Sequence, residues 1–397
     1  MEKLAIKGGY PVRSSKIFYG RQWVDQDDID AVVATLQSDF ITCGPKVDEL
    51  ERGLCSYTGA TYAVAVSNGT AALHLACMAA GIGPGDEVIT TPITFAASAN
   101  CALYCGAQVK FADINPETYN IDPASIRAQI TERTKAIVAV DFTGQVVEVE
   151  EIRRICDEYH LIFIEDGAHS IGSRYNGAQV GTLADLTTMS FHPVKTVTAG
   201  EGGAVLTNNE AYYKKLMLLR AHGITKDMGQ LEDITEGPWC YEQQMLGYNY
   251  RITDFQAALA SSQLKKLDRF AARRKEIVAK YNEAFAKIPE IILQKEIPQS
   301  DSCRHLYVIQ LDLEKLNCTR REFFDALSAE NVQPQVMYIP VYWFPYYRQL
   351  GFERGLCPKA EYIYSRIMSI PLYPRMTDQD VADVIHAVKK VVENYRK

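Results

Sequence analysis

The sequence predicts an α/β protein: a large unit on a mainly parallel sheet covered by helices, then a smaller C-terminal α/β unit. Three observations carry this expectation. Between Tyr62 and Asn208 short apolar runs alternate with helix-patterned stretches. The runs are apolar at nearly every position, as strands buried on both faces are. After Asn208 the alternation stops, and it resumes only beyond a long helical stretch from Thr253 to Ile288.

In order along the chain, YAVAVS (62–67) leads into the helical GTAALHLACMAAG, and DEVITTP (86–92) into FAASANCALYCG. AQVKFADI is the next strand. Asp122-Pro123 then opens a helix, because Asp caps the free amides and Pro suits the first helical position. KAIVAVDF (135–142), EVEEIRRICDEYH and LIFIED (161–166) form a further strand, helix and strand, and ADLTTM and GGAVLTN (202–208) complete the set. The C-terminal unit shows HLYVIQLDL (305–313), the helix TRREFFDALSAEN, the apolar VQPQVMYIPVY (332–342) and a closing amphipathic helix, DQDVADVIHAVKKVVENYR. A length of 397 residues fits two such units. The boundary is expected inside the long helix, giving 1–260 and 261–397.

Charge narrows the function. Forty-two basic against forty-nine acidic residues leave −7, whereas a protein that grips nucleic acid without regard to sequence shows a basic excess. No apolar leader opens the chain, and the least polar run, Ala71 to Gly83, is shorter than a membrane span. The ten cysteines include no Cys-x-x-Cys; Cys101 and Cys105 stand one helical turn apart in an apolar stretch. That pattern suits buried thiols of a reducing cytosol better than a metal site. Walker A, Gly-x-Gly-x-x-Gly, His-Glu-x-x-His and Gly-x-Ser-x-Gly patterns are all missing. His74, His160, His222 and His386 fall on helical or connecting patterns and read as structural. A cytosolic enzyme is expected, with no nucleic-acid or membrane partner.

Parallel sheets bind ligands at the carboxyl ends of their strands, so the residues ending each run matter most. Asp166 ends LIFIED; a carboxylate there needs a partner, and taken alone it reads as a cap or an ion pair. Lys195 lies between the run that ends at Ser190 and the turn Gly200-Glu201-Gly202-Gly203. Most such lysines are solvated, but a lysine with a lowered pKa attacks carbonyls as the neutral amine. Gly69 and Thr70 open a helix straight after a strand, a seat for phosphate as well as an ordinary helix start. Phe95 ends another run and, alone, reads as core. Together these residues match what pyridoxal 5′-phosphate requires. A lysine takes the aldehyde, a carboxylate keeps the ring nitrogen protonated, a helix start with the Ser190 hydroxyl holds the phosphate, and an aromatic ring stacks on the face.

At these residues the chain resembles the DegT/StrS-type sugar aminotransferases, which have the aspartate-aminotransferase (PLP fold type I) architecture. The likeness runs over nearly the whole chain: Phe18-Tyr19-Gly20, Ile41 to Gly44, Ser67 to Leu73, Glu165 to His169, Ser190 to Lys195 and Gly247 to Arg251. Within the family it is strongest to the branch acting on UDP-linked 4-keto-6-deoxy-N-acetylhexosamines of the pseudaminic acid type. The stretches that carry this closer likeness include ITTPITFAASAN, GEGGAV, HLYVI and QPQVMYIPVY.

The resemblance implies Lys195 as the Schiff-base lysine and Asp166 as the partner of the ring nitrogen. It implies Ser190, Gly69 and Thr70 at the phosphate, Phe95 on the ring and His169 beside it. Asn249 would reach the site of a second subunit, making a homodimer with shared sites, while Tyr19, Thr42, Gly44, Arg251 and Tyr342 would contact the nucleotide sugar. The amino donor would be L-glutamate. Gly167 and Gly200 depart from the family pattern, and both are backbone changes. Relatives that dehydrate their sugar carry histidine where Lys195 stands, so a lysine implies amination. Another keto sugar or cyclitol precursor, or a non-catalytic regulatory relative, is the alternative.

Overall fold

The computed structural model describes residues 2–232 and 237–397. Its central sheet has seven strands: β1 (Tyr62–Val66), β2 (Glu87–Thr90), β3 (Gln108–Phe111), β4 (Thr134–Val140), β5 (Ile162–Asp166), β6 (Leu186–Ser190) and β7 (Gly203–Thr207). Their spatial order is β1-β7-β6-β5-β4-β2-β3. Only β7 runs against its neighbours; the other pairings are parallel. Val64, Val66, Val88, Val138 and Ile164 enter one apolar core, and Ala63, Ala65, Ile89, Ile137 and Phe163 enter another. Successive strand residues face opposite sides, so a run apolar at every position feeds two cores. That is the physical basis of the expected two-sided sheet.

Around the sheet lie α1 (Gln26–Leu36), α2 (Pro45–Thr58), α3 (Gly69–Ala79), α4 (Ala97–Tyr104), α5 (Pro123–Gln129), α6 (Val149–Tyr159) and α7 (Glu210–Arg220). Asp122 opens α5 as expected, its Oδ1 accepting from Ala124 N at 2.9 Å. The stretch expected as one helix from Thr253 to Ile288 is instead two, α8 (Asp254–Leu264) and α9 (Leu267–Phe285). No Pro or Gly breaks it. The Lys266 ammonium turns to the carboxylates of Asp25 and buried Asp28, and Gln263 reaches Asp28 at 2.6 Å. Beyond that junction α9 changes its packing partner from the helices of the large unit to the C-terminal core.

The C-terminal unit has a three-stranded antiparallel sheet, β8 (Ile291–Leu293), β9 (Tyr307–Leu311) and β10 (Ile367–Ile370), with α10 (Arg320–Ala329) and α11 (Asp378–Tyr395). The apolar segment 332–342 is not a strand here; Pro334 and Pro340 interrupt it, and it touches β10 through the single bridge Gln335 to Ser369. Leu4 and Ile17 join this unit's core. Buried Glu330 accepts from Ala5 N (2.9 Å), Val12 N (3.0 Å) and Lys390 Nζ (2.9 Å). The opening residues, grouped by sequence with 1–260, therefore pack with the C-terminal unit. All ten cysteines are free thiols. Among the described residues no helix is long and apolar enough to cross a membrane, and no three or more His, Cys, Asp or Glu side chains come together as metal ligands would.

Candidate active site

β5 and β6 end side by side. Asp166 is the register partner of Thr188, and Ser190 closes β6 opposite Gly203. The loop beyond Ser190 is anchored by the fully buried Phe191, whose N–H donates to Gly202 O and whose carbonyl accepts from Ala199 N, both at 2.8 Å. Within it Lys195 N donates to His192 O at 2.9 Å, a turn that sets the lysine beside the sheet edge.

Burial pushes the Lys195 amine down to about 8, with the Asp166 carboxylate opposing the shift. A lysine at 8 is neutral in about a tenth of molecules at pH 7, far more than an ordinary lysine. Burial also raises Asp166, while the Ser98 hydroxyl (2.6 Å to Oδ2), Ala168 N (3.2 Å to Oδ1) and Lys195 stabilise its charged form. Ser98 is held in turn by Thr94, Oγ to Oγ at 2.7 Å. Glu165, one position earlier, faces the other side of the sheet. It is fully buried; its Oε2 accepts from Thr187 Oγ1 at 2.8 Å, and burial pushes it up to about 7. Burial and then Glu165 raise the neighbouring Asp141 well above the carboxylate range.

The start of α3 meets the end of β6. Asn68 caps the helix, its Oδ1 accepting from Ala71 N at 2.8 Å, which leaves Gly69 and Thr70 at the positions whose amides have no partner within a helix. A Cβ on Gly69 would lie 2.9 Å from Ser190 Cβ and 3.1 Å from its Oγ, so glycine lets the serine hydroxyl close on the helix end. Gly203 serves the same approach from β7, since a Cβ there would lie 2.6 Å from the Asn68 backbone.

Two imidazoles, His169 and His305, lie within the field of Lys195, with the rings of Tyr338 and Phe95 beyond them. His169 is 5% exposed and its Nε2 meets Tyr338 Oη at 3.3 Å; its Nδ1 is buried with no hydrogen-bond partner. Burial, then the charge of Lys195, hold this imidazole well below the usual histidine range. His305 packs against it with the rings tilted, 4.4 Å between centroids, and is likewise buried with an unpartnered Nδ1. Phe95 is exposed and meets Tyr338 edge to face at 6.3 Å.

The structure thus gathers Lys195, Asp166, Ser190, Gly69, Thr70, Phe95 and His169 at one end of the sheet. Tyr19 comes alongside: a Cβ on Gly20 would be 3.6 Å from Val194 Cβ, and the Tyr19 carbonyl accepts from Leu372 N at 3.0 Å. Gly44 and Arg251 share the lining of a neighbouring cleft of about 750 Å³ with Cys43, and Thr42 bridges to Thr253. Asn249 is exposed, two residues before Arg251. Tyr342 is different. It is fully buried, its hydroxyl donates to Glu361 Oε1 at 2.6 Å and accepts from Cys357 N at 3.2 Å, and it packs on Phe111. That places Tyr342 in the core rather than facing a substrate; Tyr338 is the tyrosine of that segment beside His169. Sequence reasoning also passed over Ser98 and His305. Ser98 carries a faint signal, a hydroxyl three residues beyond Phe95, and His305 another, a histidine just ahead of the apolar strand β9.

The donor set fits pyridoxal 5′-phosphate: a helix start without a Cβ beside a serine hydroxyl, a buried carboxylate, a lysine driven toward its neutral form and a buried imidazole nitrogen left open. Fold and site together define a pyridoxal-phosphate aminotransferase. The chain belongs to the DegT/DnrJ/EryC1/StrS aminotransferase family, which matches residues 22–389. It is 40% identical to the UDP-4-amino-4,6-dideoxy-N-acetyl-beta-L-altrosamine transaminase of Campylobacter jejuni serotype O:23/36, over 96% of this chain and 99% of that one. The solved structure of Helicobacter pylori PseC, an aminotransferase of pseudaminic acid biosynthesis, superposes with a TM-score of 0.88 at 33% identity, covering 96% and 100% of the two chains. The PLP form of Spr1654 from Streptococcus pneumoniae, described as a sugar aminotransferase, gives 0.89 at 30% identity, covering 96% and 99%.

Proposed function

We propose that the enzyme transfers an amino group from L-glutamate to the 4-keto carbon of a UDP-linked 4-keto-6-deoxy-N-acetylhexosamine of the pseudaminic acid type. The observation that carries the chemistry is Lys195, partly buried and pushed down to about 8 beside Asp166. The substrate class rests on the likeness to the Campylobacter transaminase over almost the full length of both chains.

Bound pyridoxal phosphate supplies an electron sink and carries nitrogen between donor and acceptor. Gly69, Thr70 and Ser190 would hold its phosphate and Asp166 its ring nitrogen, with Phe95 and His169 the rings that would flank it. Lys195 Nζ is the base that takes the proton from the donor's amino-bearing carbon and returns one at the sugar's 4-carbon. Gly44, Arg251 and Tyr19 face the nucleotide sugar. A second copy completes the site through Asn249, and would cover the exposed Phe40 and Ile41 beside the cleft of Gly44 and Arg251. Ten unpaired cysteines suit a cytosolic enzyme.

Two measurements test this. Borohydride should fix the cofactor to the Lys195 peptide, and Lys195→Ala should lose both that adduct and turnover. Product analysis with UDP-linked 4-keto hexoses of either configuration should show amination of the N-acetylated 4-keto-6-deoxy substrate with glutamate as donor. Turnover of other keto sugars in its place rejects the narrow substrate and keeps the transaminase.

A further inference from the structure

His169 belongs to the large unit, yet the C-terminal unit holds it at three points. Tyr338 Oη meets its Nε2 at 3.3 Å, the His305 ring packs on it at 4.4 Å between centroids, and Cys303 Sγ donates to its carbonyl at 3.2 Å. Cys303 and His305 lie in the segment that leads into β9, and Tyr338 in the segment 332–342. The His305 imidazole itself bonds to nothing. Its Nδ1 is buried without a partner, and no described residue hydrogen-bonds to the ring. A buried polar ring of this kind calls for an explanation, and with no hydrogen bond to make it acts on His169 by contact alone.

The joint is built for close approach. Past β4 the chain turns at Thr143 and Gly144, both in the left-handed region with φ of 66° and 97°. A Cβ on Gly144 would lie 2.9 Å from His169 O and 3.0 Å from His305 N, so glycine is what lets the 303–305 segment reach His169. Thr143 O accepts from Leu306 N at 3.2 Å. Ser173 Oγ donates to Gly144 O at 2.7 Å and accepts from Cys303 N at 2.9 Å. Across the joint Arg304 is left-handed too, with φ of 56°, a conformation that a residue with a Cβ seldom takes unless its surroundings hold it there. Arg274 of α9 braces it. That guanidinium is 2% exposed and donates from one nitrogen to the carbonyls of Arg304 (3.3 Å), His305 (3.1 Å) and Leu372 (2.9 Å).

We propose that His305 is a positioning residue of the amination site: its ring, pressed down by the braced 303–305 segment, holds the His169 imidazole in the orientation it presents to the cofactor. The inference rests on the reading of His169 as a ring that flanks pyridoxal phosphate. Tyr338 alone hydrogen-bonds to the His169 ring, and one such bond leaves an imidazole free to swing about the contact. The face of His305 removes that freedom, as packing locks the side chains of a preorganised site. Seating of the C-terminal unit on the large unit thereby becomes a condition for a correctly held cofactor.

The test titrates the full-length enzyme and its His305→Ala, His305→Asn and His305→Phe variants with pyridoxal phosphate. Binding is followed by absorbance and by the visible circular dichroism that a rigid site induces in the bound ring. His305→Ala should bind about tenfold more weakly and, at saturation, lose most of the induced signal. Turnover should fall with it, while KM for the nucleotide sugar stays within roughly twofold. His305→Asn, polar but without a ring, should resemble alanine, and it takes alanine's place if that variant does not fold. His305→Phe should recover both affinity and signal. Thermal melts of the cofactor-free variants separate loss of fold from loss of position. A full induced signal in saturated His305→Ala overturns the proposal, as does recovery by asparagine, or a folded phenylalanine variant no better than alanine. Wild type that takes up no pyridoxal phosphate withdraws the site reading itself, a result seen before any variant is compared.

Discussion

The Ser98 hydroxyl donates to Asp166 Oδ2 across 2.6 Å, with both side chains buried. A hydrogen bond to a buried charge contributes about 1.5–3 kcal/mol. Ser98→Ala should therefore weaken cofactor binding roughly 10- to 100-fold by making ionised Asp166 harder to keep. Equilibrium titration of the ligand-free protein with pyridoxal phosphate, followed by absorbance, measures it. Unchanged affinity would show that the Ala168 amide and Lys195 suffice.

Gly69→Ala inserts a methyl 2.9 Å from Ser190 Cβ. Overpacking of this kind costs about 1–3 kcal/mol. Here it should appear chiefly as lost affinity for cofactor or inorganic phosphate, with a smaller fall in Tm, because the added carbon sits on the helix start. Dialysis equilibrium and thermal melts separate the two effects.

Glu165 is pushed up to about 7 from an ordinary carboxylate value of 4.5. Between those values the folded chain holds a proton that the unfolded chain has released, so stability falls as pH rises through that window and then levels off. Glu165→Gln removes this dependence and still offers Thr187 an acceptor. The variant should melt above the wild type at pH 8, with the gap closing toward pH 5. Parallel melting curves at the two pH values decide it.

Tyr342→Phe should separate a core role from a substrate role. Its hydroxyl bonds to Glu361 and Cys357 in the interior, so the change should lower stability by about 1–2 kcal/mol. KM for the nucleotide sugar should not move. A raised KM with unchanged Tm would return Tyr342 to the cleft.

The alternation from Tyr62 to Asn208 was legible because a strand buried on both faces carries few polar side chains, and each such run did become a strand. Asp166, Ser190 and the Gly69 turn were legible for the same reason, since each closes or follows an apolar run at one sheet edge. Tyr338 was not. It and Tyr342 lie four residues apart in a segment with neither helical nor strand period, and only the docking of the C-terminal unit decides which one faces His169. The break at Lys265–Lys266 escaped as well, because its cause is ion pairing to Asp25 and Asp28, far earlier in the chain. His305 is placed by tertiary contact alone, the Arg274 guanidinium holding its carbonyl at 3.1 Å.

The Glu330 clamp has a temporal consequence. Leu4 and Ile17 sit in a core whose other buried members begin at Ile277, some 260 residues downstream. At a synthesis rate of about 5–20 residues per second, this opening segment emerges from the ribosome roughly 13–50 s before its partners exist. Until then it trails unpaired, and α11, through Lys390 on the Tyr10 carbonyl and Glu330, is made later than its other partners.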